Sequence, residues 1–221
     1  MQQYVCDLIV VGAGPAGSMA AKVAAEKGIE VLLEALPTII DKYPEACVLH
    51  ANPDAIGESS YGAKIAPLIT KQGRHYVLLG ALRGSELSAF YRNLDCLVMC
   101  SLNNTETFGL VQIEAMINGV PTIASDLPGV RQPVRMTGMG EITPIGDAKS
   151  LAMAIIKVFE NRERYIRSAA VISATFSPKE TANEYICLYE KLLSGKKEVE
   201  MKEPPAYSLL RQMRDGAGSE A

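Results

Sequence analysis

Short apolar runs without polar alternation, each followed by a segment of helical periodicity, recur along the chain and restrict its fold more than any other feature. The runs are "YVCDLIVVG", "ACVLHA", "HYVLLG", "DCLVMCS" and "PTIAS", and between them lie "PAGSMAAKVAAEK", "YGAKIAPLITKQG", "SELSAFYRNL" and "FGLVQIEAMING". A strand that is apolar on both faces must be covered on both faces, which a parallel sheet with crossover helices achieves. The expected fold is α/β: a doubly wound, Rossmann-like parallel sheet flanked by helices, with a C-terminal helical tail. Beyond "GEITPI" a helical pattern runs through "DAKSLAMAIIKVFENRERYIRSAA", with Leu151, Ala154, Ile155, Val158 and Phe159 at three- and four-residue intervals behind Asp147 as N-cap. A last amphipathic helix fits "PKETANEYICLYEKLL". After Gly195 the composition turns charged and Pro-containing, which predicts a tail with one short helix in "AYSLLRQM".

Composition excludes several classes. With 221 residues, 48% of them hydrophobic, the chain can bury a full core. A formal net charge of -3, with Lys and Arg scattered, leaves no basic footprint for nucleic acid. The five cysteines, Cys6, Cys47, Cys96, Cys100 and Cys187, form no CxxC pair and stand at no metal-ligand spacing with His50 or His75, so no metal site is expected. Cys96 and Cys100 fall on one face of a strand and are read as reduced core thiols. No apolar run approaches the roughly 18 to 20 residues that span a bilayer, the N-terminus lacks the pattern of a secretory signal, and a cytoplasmic location is expected.

Two stretches carry chemistry. The first is "DLIVVGAGPAGSMAA", where Gly12, Gly14 and Gly17 form G-x-G-x-x-G between a strand and a helix, and Glu34 follows about 20 residues on. Such glycines permit a tight turn and a close backbone approach to a pyrophosphate, which the helix N-terminus then holds. On these residues the stretch resembles the FAD-binding start of flavoproteins of the geranylgeranyl reductase type. That resemblance implies FAD held by Gly12, Gly14, Gly17 and Glu34, but it covers only about 35 residues of the chain. A second flavin-holding segment is available only in Gly146-Asp147-Ala148, and there Asp147 is accounted for as a helix cap.

The second stretch is "SLNNTETFGLVQIEAMINGVPTIASDLPGVRQPV", with Glu106 and Glu114 at E-x7-E spacing around Thr107-Phe108-Gly109-Leu110 and a helix opening near Gly109. Together with "LLGAL", "SELSAFYRNLDCLVMCS", "DLPGVRQPV" and "PIGDAKSLAMAI", it resembles the C-terminal nucleotide-sugar-binding domain of retaining GT-B glycosyltransferases, family 4. The likeness runs over about residues 26 to 193. It implies a UDP- or GDP-linked sugar bound without metal or other cofactor. Glu106 would meet hydroxyls of the transferred sugar and act as the catalytic carboxylate, Glu114 would accept from the ribose hydroxyls, and the backbone at Phe108, Gly109 and Leu110 would receive the diphosphate. Lys27 would reach the diphosphate, and Leu82 would lie near the base. Arg131 is read as a loop residue, and Gly80 equally as a turn glycine. The sequence departs from the family pattern at "GAGPAG", where a Gly-Arg loop is usual, at "VLHANPD" and at "VMCS".

The two resemblances meet at residues 29–35. If the flavin pattern holds, "IEVLLE" is a strand ended by Glu34. If the glycosyltransferase pattern holds, "GIEVLLEALPTIIDKY" is a helix presenting Ile29, Leu32, Leu33, Leu36, Ile39 and Ile40 on one face, with Pro37 a local perturbation. The helix is favoured, because the apolar spacing continues past Glu34. The expected organisation is a flavoprotein-like, chimeric start at 1–25, a donor-binding domain at 26–193 folded with it, and a charged tail at 194–221. The family's acceptor domain is not read in this sequence. The chain alone is therefore expected to transfer sugar poorly, and to associate with a partner through the exposed face of a former domain interface.

Overall fold

The computed structural model describes residues 8–12, 19–51, 60–103, 107–194 and 205–216. Among these, six strands form one parallel sheet: β1 (Leu8–Gly12), β2 (Cys47–Ala51), β3 (Tyr76–Gly80), β4 (Cys96–Met99), β5 (Thr122–Ser125) and β6 (Gly140–Thr143). Their order is β3-β2-β1-β4-β5-β6, with Leu8 opposite Cys47 and Val10 opposite Leu97 in register. All of β4 and β5 is buried, as their uninterrupted apolar runs require of central strands.

Side chains alternate across the sheet and divide the core in two. Val48, Cys96, Val98 and Ile123 enter one cluster, while Leu97, Met99 and Ala124 enter the other. The first cluster is covered by α1 (Met19–Lys42), α2 (Ser60–Lys71) and, from further along the chain, the helix that opens after Asp147. The second is covered by α3 (Ser85–Arg92), α4 (Leu110–Ile117) and α5 (Gln132–Thr137). Cys96 and Cys100 share the first face as buried thiols. Burial pushes both thiol pKa values up, that of Cys100 to about 12, so neither is a nucleophile at neutral pH.

Residues 29–35 are helical, within α1. Ile29, Leu32, Leu33, Leu36 and Ile39 are buried and Ile40 packs beside them, while Pro37 lies exposed inside the helix. Gly28 lies inside this helix, between "AAEK" and "IEVLL", and is an interior contact. A Cβ there would lie 2.3 Å from the carbonyl oxygen of Cys100, and the Cys100 thiol donates to the Gly28 carbonyl at 3.0 Å. The missing side chain lets α1 cross directly over the end of β4.

The helical pattern read after "GEITPI" is realised as three helices: α6 (Ala148–Glu160), α7 (Arg162–Tyr165) and α8 (Ala169–Thr175). Asp147 caps the first, accepting from the Ser150 amide at 2.9 Å. Asn161 then closes it, donating to the Lys157 carbonyl at 2.9 Å, and Ile166 turns extended. Arg162, at the start of α7, donates to the Gly119 carbonyl across the fold at 3.3 Å, a tie that helical periodicity does not carry. Helix α9 (Pro178–Leu193) matches its sequence reading but buries none of its residues, leaving Tyr185, Ile186, Tyr189, Leu192 and Leu193 exposed. In the charged C-terminal segment, α10 (Pro205–Gly216) folds back: Leu210 is fully buried in the second cluster, and Arg214 donates to the Arg135 carbonyl at 2.9 Å.

Candidate functional site

In a doubly wound sheet the crevice lies beyond the carboxyl ends of the strands where the strand order reverses. Here that point falls between β1 and β4, at Gly12 on one side and at Met99, Cys100 and Ser101 on the other. The chain leaves β4 and enters α4 through Gly109, which takes left-handed backbone angles (φ 78°, ψ 64°) as the N-cap. A side chain there would also meet Gln112 and the Met99 sulfur, each at 2.7 Å. Glycine brings no side-chain cap to this helix start, and the N-terminus of a helix favours negative charge.

Two residues that sequence reasoning missed hold this turn in place. Gln112 is fully buried; its amide donates to the Val130 carbonyl at 2.7 Å and accepts from the Thr122 hydroxyl at 3.2 Å. It thereby pins the first turn of α4 to β5 and to the loop after β5. The available signal was a polar residue one turn from buried Met116 on an otherwise apolar face. Gly129, in that same loop, stands directly against Thr107, in the turn before α4. Replacing Gln112 with leucine conserves volume but orphans a buried carbonyl and a buried hydroxyl, and is expected to cost about 2 kcal/mol in urea unfolding. Adding Thr122→Val should recover part of that loss; no loss in the single variant would remove Gln112 from this role.

Glu114 lies on the exposed side of α4 and is gripped by Tyr91, whose hydroxyl donates to Oε2 at 2.6 Å. Leu110 is 62% exposed at the helix start. Phe108 is half-buried, its ring tilted against Phe176 at 6.1 Å between centroids, and both Phe108 and Leu82 rest on the second core cluster. Lys27 precedes Gly28, where α1 meets the end of β4, so its backbone borders the crevice; its side chain lies outside the described residues. Glu106 lies outside the described residues as well, as do Gly14 and Gly17.

The flavin reading of the acidic residue is corrected. Glu34 is an exposed position inside α1, and the second strand starts only at Cys47. The fingerprint needs its carboxylate at the end of that second strand, beside the ribose. Gly12 ends β1, but the Gly146-Asp147 pair is committed to capping α6, both Asp147 oxygens bonding Ser150. Among the described residues, no group of three His, Cys, Asp or Glu side chains is placed to hold a metal ion, and no helix is long and apolar enough to cross a membrane.

Comparison with known proteins gives a consistent result. The family model described as glycosyl transferases group 1 matches residues 18–172, starting just past Gly17. The phosphatidyl-myo-inositol mannosyltransferase of Mycobacterium leprae (strain TN) is 29% identical over 179 residues, covering 79% of this chain and 46% of that protein. Sulfoquinovosyl transferase SQD2 of Arabidopsis thaliana is 39% identical over 103 residues, 47% of this chain and 18% of that one. Among solved structures, Anabaena Alr3699/HepE in complex with UDP and glucose superposes with a TM-score of 0.64 at 22% identity, covering 84% of this chain and 48% of that one. Sucrose-phosphate synthase from Thermosynechococcus elongatus gives a TM-score of 0.63 at 23% identity, over 88% and 47% of the two chains. At such identities the likeness is one of fold. The chain spans about half the length of the first curated relatives it matches.

Proposed function

The chain belongs to the group 1 glycosyl transferases, and from that premise we propose that it binds a nucleotide-activated sugar, UDP- or GDP-linked, as the donor side of a retaining sugar transfer. In this reading the diphosphate sits at the N-terminus of α4, received by the backbone at Phe108, Gly109 and Leu110, with Lys27 on the opposite wall. Glu114 accepts from the ribose hydroxyls, Glu106 from hydroxyls of the transferred sugar, and Leu82 lies toward the base. Negative charge develops on the departing nucleoside diphosphate as the glycosidic bond breaks. A helix N-terminus aimed at that charge stabilises it without reorganising.

The observation that carries the reading is the placement of the α4 N-terminus, entered through left-handed Gly109, beyond β4 at the reversal of strand order, with Glu114 held on the same helix. That the Anabaena protein of the same fold is found in complex with UDP supports a nucleotide as the ligand class. A facing acceptor domain is consistent with the length of the relatives, and transfer itself belongs to whatever holds the acceptor beside the donor. Calorimetric titration of UDP, GDP and their sugar conjugates tests the donor side. Glu114→Ala is expected to weaken the preferred nucleotide roughly tenfold or more, the worth of a hydrogen bond to a charged group. Equal affinity in wild type and variant would take Glu114 out of the site.

A further inference from the structure

We propose that Tyr91 is the positioning residue for Glu114, fixing one carboxylate oxygen so that the other meets the ribose diol of the bound nucleotide; this rests on the role given to Glu114 above. Helix α3 is short, and its two buried residues are Phe90 and Tyr91. The Tyr91 ring is 6% exposed, yet its hydroxyl emerges beside α4 and donates to Glu114 Oε2 at 2.6 Å across 23 residues of sequence. The phenol is thus anchored in the core at one end and bonded to the exposed carboxylate at the other.

A glutamate on an exposed helix face otherwise samples several rotamers, and ordering such a side chain costs up to about 2 kcal/mol. A contact that orders it before the ligand arrives removes that cost from binding. Tyr91 bonds one oxygen, and a carboxylate has acceptor capacity left on the second. Burial first, and the bond to Glu114 next, hold the Tyr91 hydroxyl pKa well above that of an ordinary tyrosine, so it remains a donor throughout the working pH range. The alternative is that Glu114 merely satisfies a buried phenol, and that alternative makes a different prediction.

The discriminating experiment compares UDP and GDP with their 2′,3′-dideoxy counterparts on wild type, Tyr91→Phe, Glu114→Ala and the double variant, by calorimetry, with thermal melts alongside. Wild type is expected to prefer the ribonucleotide roughly tenfold or more. Tyr91→Phe should shrink that preference about three- to tenfold while leaving dideoxynucleotide affinity unchanged, and should have no effect on the preference once Glu114 is alanine. Phenylalanine keeps the ring, and the exposed carboxylate it leaves behind is solvated, so the fold should hold. A uniform loss for both nucleotide types, an undiminished preference, or a collapsed fold in Tyr91→Phe would each assign the contact to structure and overturn the proposal. No ribose preference in wild type would overturn the role of Glu114 itself, and the proposal with it.

Discussion

Gly129→Ala is expected to lower the unfolding free energy by more than about 4 kcal/mol, and to weaken nucleotide binding in whatever fraction stays folded. A Cβ at this position would lie 1.9 Å from the Thr107 carbonyl oxygen and 2.7 Å from its carbon. Both are backbone atoms, so no rotamer change relieves the clash; the loop after β5 or the turn before α4 must move by about an ångström. The joint is also where Gln112 bonds Val130, at 2.7 Å, and that bond stretches whichever side gives way. Moving the turn displaces Gly109 and with it the positive end of α4, which couples the stability loss to the donor site. Urea unfolding and nucleotide titration of the same preparation measure both effects. A variant that melts within a degree or two of wild type would show that the two loops do not meet in solution.

Acidification is expected to remove about 3 kcal/mol of stability between pH 6.5 and 4 through His50 alone. This histidine is 2% exposed on β2, with the Tyr76 hydroxyl 2.9 Å from Nδ1, and burial lowers its pKa to about 4. The unfolded chain has the ordinary histidine pKa of about 6.5, and each unit of difference is worth about 1.4 kcal/mol. Within that window the unfolded state binds a proton that the native state refuses, so stability falls as pH drops. The contribution is fully present above the unfolded value and fully lost below the folded one. Carboxylates respond to acid too, so the informative quantity is a difference. His50→Gln keeps an acceptor for Tyr76 but cannot titrate, and its urea midpoint should fall less than that of wild type between pH 7 and 4. Parallel decline in the two proteins would show that His50 does not titrate across folding.

Much of the scaffold was legible in the sequence because it depends on near neighbours. Apolar runs such as "DCLVMCS" predicted strands buried on both faces, and β4 alternates its side chains between the two core clusters as that reading requires. The face from Ile29 to Ile40, the cap at Asp147 and the span of α9 follow from local spacing and capping chemistry, and all three appear as read. The E-x7-E segment pointed to the family, and the family match covers it.

What the sequence alone determined about this protein is five of the six described strands, the helices of eight residues or more and the family motif they carry, while β6 and α5 went unread; periodicity and capping act over a few residues and need an element long enough to show them. Tertiary structure decided the rest. Gly28, inside α1, is made an interior contact by the carbonyl of Cys100, 72 residues on. The helical pattern after Asp147 does not show where it divides, and at that division Arg162 reaches Gly119 across the fold. Gln112 with Val130, Gly129 with Thr107, and Tyr91 with Glu114 are pairings between segments that meet only once the sheet has formed. Their physical content is a hydrogen bond or a forbidden overlap across space, and neither leaves a periodic mark on the chain.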